Sequence, residues 1–576
     1  MKVVSSSQHQ HLTEVPMRAK GLFMAVIAVA TIGVMQPRYV EAQSGPAALT
    51  GTVSSSAEGM MEGVLVTVRR DGANHTVTVV SDSNGRYSFP RTHLEAGPHS
   101  VEIRATGYDL AGPVTVTVES GSVATLDLAL EETADLASQL TSLEWALSFP
   151  GTPEEKDKLV YQAKSCNYCH NYTRIVKSKH GAERFEDVIR RMNAYYPDGT
   201  AVSNDGRGWG QRLLDYGDSF GKMTPDGPME GRGDRWGGWQ IPELAAYLEK
   251  VNLSGEKTTW SYEPAASLPR PTGKGTRVII TQWDQPRRVT VSHDSSVDLE
   301  GNLWYGDESH QFVGKLNPKT HEFTEFPLPE LPARHLPGTR DIQADAHGNV
   351  WFPMRVEGGA SVMTRLHPET GELTMVEGTT GQFTGLGPGD TIWMGGAGNE
   401  FTRISLETAS VTGTYPGRGY QVVVSSKGNP YIGGGAGIVG YDVAADESLT
   451  YELPTERGFA RRGKMDDQDR FWFGEYYGDK IGVFDTRTET FKEWPLRKYS
   501  TPYAASAPDK DGWVWAPSNM SDRMFRLNPE TGEIIEYLMP SEIDVKEIEF
   551  DPTSDGVAAL MSNMRAARVI RIEPLD

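Results

Sequence analysis

Cysteine is nearly absent. The 576 residues hold two, Cys166 and Cys169. One pair cannot staple a scaffold of this size, so a disulfide framework is excluded, and their close spacing suits chemistry better than bracing. Basic charge is also short. Lys and Arg number 56 against 77 Asp and Glu, a formal net charge of −21. No Lys/Arg run carries interleaved aromatics, which argues against a nucleic-acid partner. Long apolar runs are missing too. The longest, Gly21 to Met35, falls short of the roughly 20 residues that a membrane span needs. What remains is an ordinary globular composition, 38% hydrophobic. The length exceeds the roughly 250–300 residues that one core serves, so several domains are expected.

Met17-Arg-Ala-Lys20, the apolar stretch after it and Val40-Glu-Ala42 have the three-part layout of a secretory leader. Cleavage is expected after Ala42, with Met17 as an alternative start and an uncleaved anchor as the other reading. Removing residues 1–42 takes away four basic and two acidic side chains and leaves −23. The mature protein is expected to be periplasmic or secreted, with no membrane span.

Residues 47–131 alternate apolar and polar side chains in short runs, including Val64-Leu-Val-Thr-Val68, Tyr87-Ser-Phe89 and Leu126-Asp-Leu-Ala-Leu130. Period-two runs broken by Asp82-Ser-Asn-Gly85 and Gly97-Pro98 predict a small antiparallel β-sandwich. The order G-T-V, G-V-x-V, D-x-N-G-x-Y-x-F and G-x-H-x-V-x-I resembles the carboxypeptidase regulatory-like (transthyretin-like) domain family. That resemblance implies a spacer or adhesion module without catalytic residues.

Residues 135–253 change to helical periodicity, at Phe185, Val188, Ile189 and Met192 and in Ile241-Pro-Glu-Leu-Ala-Ala-Tyr-Leu-Glu-Lys-Val251. Here lies Cys166-Asn-Tyr-Cys169-His170, the C-x-x-C-H signature of covalent c-type haem attachment, with His170 placed as an iron ligand. A zinc site lacks two further soft ligands, and no βαβ pattern surrounds the pair to suggest a thioredoxin-like function. The segment resembles small class I cytochromes c, such as the haem subunit of sulfite dehydrogenases. That resemblance implies a small all-α domain and carries the distal ligand over to Met192. Met223 in a Pro-containing loop is the rival, with His180 or an open position as further alternatives; Met192 also reads as plain core packing. A His/Met pair would imply electron transfer with a redox partner protein. Glu256 to Gly275, rich in Pro, Ser, Thr and Gly, marks residues 254–276 as a linker.

From residue 277 to the end the chain repeats. Aromatic-led pairs stand at Trp304, Trp351, Trp393, Tyr431, Trp472 and Trp515, with a degenerate copy at Ala559, spaced 47, 42, 38, 41, 43 and 44 residues apart. Four short strands per repeat, seven times over, predict a seven-bladed β-propeller. The last repeat ends at Arg568-Val-Ile-Arg-Ile572 with little chain beyond it, and Val278-Ile-Ile-Thr-Gln-Trp283 precedes the first. The early strand is therefore expected to complete the last blade, closing the ring with no unpaired edge. The fold class is multidomain and mainly β.

These repeats resemble the virginiamycin B lyase (streptogramin lyase) family of propellers. In that family a general base and a metal-held substrate near the axis carry out a C–O elimination, which implies His residues opening inner strands and acids closing the next. The matching positions lie 11 residues before each repeat aromatic: His293, Arg340, Gln382, Tyr420 and Arg461, with Tyr503 one residue further off. Asp307 and Glu475 stand at the acidic positions. The paired late-blade histidines of the lyases are missing, since Arg461 and Tyr503 stand there. Lyase chemistry with a divalent metal is thus one expectation. Two arginines at a channel mouth suit an anionic small molecule instead, and the same residues also read as the lining of a solvated channel. A redox protein carrying haem c, a lyase with an accessory haem and a non-enzymatic binding module are the readings that follow.

Overall fold

The computed structural model describes residues 46–162, 167, 170–195, 235–236, 239–252, 267–288, 290–308, 312–329, 338–356, 361–395, 399–417, 419, 421–435 and 437–575. The leader lies outside the described residues. Residues 43–576 form one compact unit. No described helix is long and apolar enough to cross a membrane.

The N-terminal region is a sandwich around Leu49, Val53, Val66, Val68, Tyr87, Phe89 and Leu128. Its alternation works as expected, and Asp82 Oδ1 fixes one tight turn by accepting the N–H groups of Asn84 and Arg86, with Gly85 in the left-handed region at φ +71. The sheet is not wholly antiparallel. Strand Ala47–Ser55 runs parallel to Leu128–Glu132 and Ala124–Thr125, while pairing antiparallel with Arg86–Pro90. The final strands cross over from the other sheet and so return in the direction of the first.

The repeats form seven successive sheets. Blades 1 to 5 have four strands each, beginning with inner strands Ser292–Val297, Gln343–Ala344, Phe383–Gly387, Val422–Val424 and Ala460–Met465. Blade 6 has three strands, from Val514–Ser518 outward, with Pro502 and Ala504 bridging inward to Ser518 and Arg462 in place of a regular inner strand. Blade 7 is assembled from both ends of the region: Val278–Asp284 pairs along its whole length with Arg568–Pro574. Closure therefore follows the expected route. The outer strands of blades 1 to 6 still end their sheets, whereas that of blade 7 does not. Strand His75–Val80 of the sandwich pairs with Val278–Asp284, from Ile279 opposite Val79 to Trp283 opposite His75, making one eight-stranded sheet across both regions.

A polar device repeats with the blades. The indole Nε1 of Trp304, Trp351, Trp472 and Trp515 donates to Asp298, Asp345, Asp466 and Asp509 at 2.9, 2.7, 2.8 and 2.8 Å, six residues upstream each time. The same carboxylates accept turn amides such as those of Asn302, Asn349, Arg470 and Trp513. Each Asp thereby closes the hairpin between the first two strands and satisfies a buried N–H that apolar packing would strand.

The described residues between 136 and 251 are helices about a core of Leu143, Trp145, Phe149, Leu159, Phe185, Leu244 and Leu248, with a short ladder of Arg235–Trp236 against Trp239–Gln240. The described part of the expected linker is bound on three sides. Leu268 N–H donates to Glu144 Oε1 at 2.6 Å, Arg523 Nη2 to the Pro269 carbonyl at 2.6 Å and Arg270 Nε to the Glu62 carbonyl at 2.9 Å. Gly63, at φ +78, is required there, because a Cβ would stand 2.2 Å from the Pro271 oxygen.

Candidate functional site

Residues on the inner strands or just before them gather at the propeller mouth in the blades whose members are described: His293, Arg340, Gln382, Arg461, Tyr503 and Lys546. His293 is buried, with Nδ1 3.1 Å from Asp294 Oδ1. Arg340 donates from Nε to Glu308 and from Nη1 to Gln382 Oε1 at 3.2 Å. Burial alone would raise the Glu308 carboxyl, but the Arg340 guanidinium holds it below the usual range. Arg461 donates to Tyr503 Oη at 3.2 Å and lies 3.9 Å over the Tyr503 ring and 4.4 Å over that of Tyr476. Tyr420 lies outside the described residues. The ring member of blade 7 is Lys546, whose Nζ donates to Asp544 Oδ1 at 2.5 Å and sits 3.9 Å over Tyr503. Burial lowers Lys546 to about 8, against the pull of Asp544.

A second layer lies one residue further along the same strands: Asp294, Asp341, Arg462 and Glu547, all buried. Arg462 reaches across the axis to Asp294 and lies 3.7 Å from Glu547 Oε2, while Lys464 pairs with Glu547 and with Glu549 at 2.6 Å. Asp341 accepts the Thr384 and Ile342 amides at 2.5 and 2.8 Å. Burial, then the nearby Asp294, push Asp341 up to about 7; burial, opposed by Lys464 and Arg462, leaves Glu547 at about 8. Oxygens of Asp294, Asp341 and Glu547 lie within 4.8 Å of one another, so these are the residues that could hold a divalent ion. Arg462 and Lys464 already bring two positive charges to them.

Of the two acids read from the repeats, Asp307 is buried and accepts the Val291 amide at 3.2 Å. Glu475 is buried and turned outward along its blade, toward Glu493 and Lys480; burial, then Glu493, raise it to about 7. The second layer had a signal, its position directly after each ring residue. What hid it is a β-bulge in blades 1 and 5, between Ser292 and Ser295 and between Ala460 and Gly463, which lets consecutive residues serve one site. Lys546 escaped notice because it precedes Ala559 by 13 residues.

In the C-x-x-C-H motif, Asn167 and His170 are described, while Cys166 and Cys169 are not. His170 is buried, and its Nδ1 lies 2.8 Å from the Asn171 carbonyl. A carbonyl only accepts, so Nδ1 carries the proton and Nε2 keeps its lone pair. Burial lowers the imidazole to about 4, opposed by that carbonyl, so it is neutral near pH 7. Neutral imidazole with its second nitrogen tied to a carbonyl is the state that ligates a metal, and His170 as placed fits the part of an iron ligand. Of the distal candidates, Met192 lies on helix Ala182–Tyr195 with its side chain outside the described residues. Met223 is outside them altogether. His180 packs edge-on to Phe185, and its carbonyl accepts from Asn252.

The motif is seated on the mouth face of the propeller. Tyr161 donates to Asp479, Leu143 N–H to the Met520 carbonyl at 2.6 Å, Asn167 Nδ2 to the Asn519 carbonyl at 3.1 Å and Asn171 Nδ2 to Glu542 at 2.7 Å. Asn519 in turn donates to Asp544 at 2.6 Å, and Asp544 holds Lys546 of the ring. A few polar side chains thus connect the two sites.

Residues 48–131 match the carboxypeptidase regulatory-like domain model. No curated protein matches the chain. Among solved structures, selenomethionine-substituted virginiamycin B lyase from Staphylococcus aureus is similar at 17% identity and TM-score 0.43, over 51% of this chain and 99% of its own. A streptogramin B lyase structure is similar at 16% identity and TM-score 0.45, over 52% and 99%. A catalytically inactive variant of the S. aureus enzyme with quinupristin is similar at 17% and 0.43, over 51% and 99%. These likenesses carry no inference about activity.

Proposed function

We propose that the protein is an exported haem c redox protein, in which the helical segment is a cytochrome seated on the mouth of a virginiamycin B lyase-like propeller. Cys166 and Cys169 would attach the cofactor and His170 Nε2 would ligate its iron, with Met192 the favoured distal ligand. The observation that carries this reading is the buried His170, with Nδ1 2.8 Å from the Asn171 carbonyl. Haem held this way takes up and gives back single electrons. The chain's own part is to exclude water from His170, fix its tautomer and hold the motif against Asn519 and Glu542. The ring of Arg340, Arg461 and Lys546 suits an anionic small molecule, and the acidic surface bears on which redox partner docks.

Protein exported from a host competent in c-type haem maturation tests the reading. A covalent haem in the wild type, lost in Cys166→Ser/Cys169→Ser and rendered high-spin in His170→Ala, is the expected result. A red methionine–iron band present in the wild type and absent in Met192→Leu supports the distal assignment; its loss in Met223→Leu moves that assignment. Wild-type protein without covalent haem rejects the reading.

A second reading, C–O elimination with His293 as base, is favoured by the His293–Asp294 contact. Turnover of a cyclic depsipeptide lactone, abolished in His293→Ala, would establish it.

A further inference from the structure

One buried guanidinium stands beside the haem motif with backbone carbonyls, not a carboxylate, on its hydrogen bonds. Arg565, in the turn after strand Ala559–Asn563 of blade 7, is 1% exposed. Its Nη2 donates to the carbonyl of Asn167, inside C-x-x-C-H, at 2.6 Å, and Nη1 stands 3.5 Å from the Asn519 carbonyl. Nε is buried without a hydrogen-bond partner among the described residues. Glu542 is the acid in its electrostatic field; Glu542 Oε1 accepts from Asn171, Oε2 is buried without a hydrogen-bond partner among the described residues, and neither oxygen accepts from Arg565. Elsewhere the propeller pairs its buried arginines with carboxylates: Arg462 with Asp294, Arg526 with Asp509, Arg523 with Glu536. A buried cation whose hydrogen bonds reach no carboxylate is costly, and a planar fork with an open edge is the group that recognises a carboxylate. The carboxylate such a place would receive is one carried by the cofactor.

Resting on the haem reading above, we propose that a carboxylate of the haem is bound by Arg565, so that the propeller supplies part of the cofactor's site and sets its potential. Cation and carboxylate then neutralise each other where neither is hydrated. Removing the guanidinium leaves the oxidised, more positive iron relatively favoured. Nothing in this role requires Arg565 to touch the iron or its ligands.

The test uses the full-length haem-loaded protein. Arg565→Leu is expected to keep its covalent haem while the equilibrium for reduction weakens about tenfold, about 59 mV for one electron. Arg565→Lys restores the charge and most of the potential, but shifts the propionate-bending bands in resonance Raman spectra because the fork is gone. An unchanged potential in a folded Arg565→Leu overturns the proposal. Should Arg565→Leu not fold, the Raman bands of Arg565→Lys decide, and bands identical to the wild type overturn it. Wild-type protein without covalent haem instead ends the underlying reading, and a haem assay tells that failure from the other.

Discussion

Two buried arginines mark two kinds of place in this molecule. Arg462 on the propeller axis meets Asp294 and Glu547, and its neighbours Lys464 and Glu549 complete a network in which opposite charges answer one another. Arg565 at the seat of the haem motif meets backbone carbonyls. The contrast separates a cation that the chain answers with its own carboxylates from one that it answers with backbone carbonyls. A cation paired with carboxylates is a brace, and its worth is read in stability; a cation held on carbonyls can still take an anion, which makes it an open site whose worth is read in what binds.

The sharpest way to break this comparison is at the axis. Arg462→Leu strands the Asp294 carboxylate in the interior, and breaking a buried pair in this way costs about 3–5 kcal/mol. Urea unfolding followed by tryptophan fluorescence should show that loss. A cost below about 1 kcal/mol, the range of an exposed pair, would show that Arg462 is no brace and that the axis resembles the open site after all.

A second test uses pH. Asp341 is raised to about 7 and Glu547 to about 8, in both first by burial. Carboxyls raised on folding contribute stability that is full below the ordinary carboxylate range and is lost as pH climbs through the folded values. The unfolding free energy is therefore expected to fall by on the order of 2 kcal/mol between pH 6 and pH 8, and the denaturation midpoint with it. Asp341→Asn should flatten part of that slope. A midpoint that rises over the same interval would mean that the axial acids are ionised throughout and that Arg462 and Lys464 outweigh burial.

The same contrast explains what the amino-acid order made legible. Repeat spacing found the blades, because each one needs an aromatic at a fixed depth. The Asp six residues before four of the tryptophans is the reason the register holds, and it was readable in principle as D-x5-W. Counting 11 residues back from the aromatic reached His293, Arg340 and Arg461, but the count assumes an unbroken strand. Bulges at Ser292–Ser295 and Ala460–Gly463 add Asp294 and Arg462 to the same mouth, and nothing local announces a bulge. Nor does any local pattern announce that His75–Val80 will pair with Val278–Asp284, since both alternate as any edge strand does. The C-x-x-C-H motif was legible in full, whereas its seat on Asn519, Glu542 and Arg565 depends on residues nearly 400 positions away.

The smallest expected effect lies at that seat. Asn171 Nδ2 gives Glu542 its one described hydrogen bond from the helical segment, at 2.7 Å, and Glu542 is raised to about 7, chiefly by burial. Asn171→Ala removes the donor but leaves the carboxyl free to take a proton, so the cost should be about 0.5–1.5 kcal/mol against the larger loss in Arg462→Leu. Because the bond joins helical segment to propeller rather than blade to blade, the loss should also be local. Limited proteolysis is expected to cut between residues 135 and 252 faster than in the wild type while the propeller fragment survives unchanged. Equal acceleration in both regions would mean that the seat and the axis unfold as one, and that the division between brace and open site does not extend to stability.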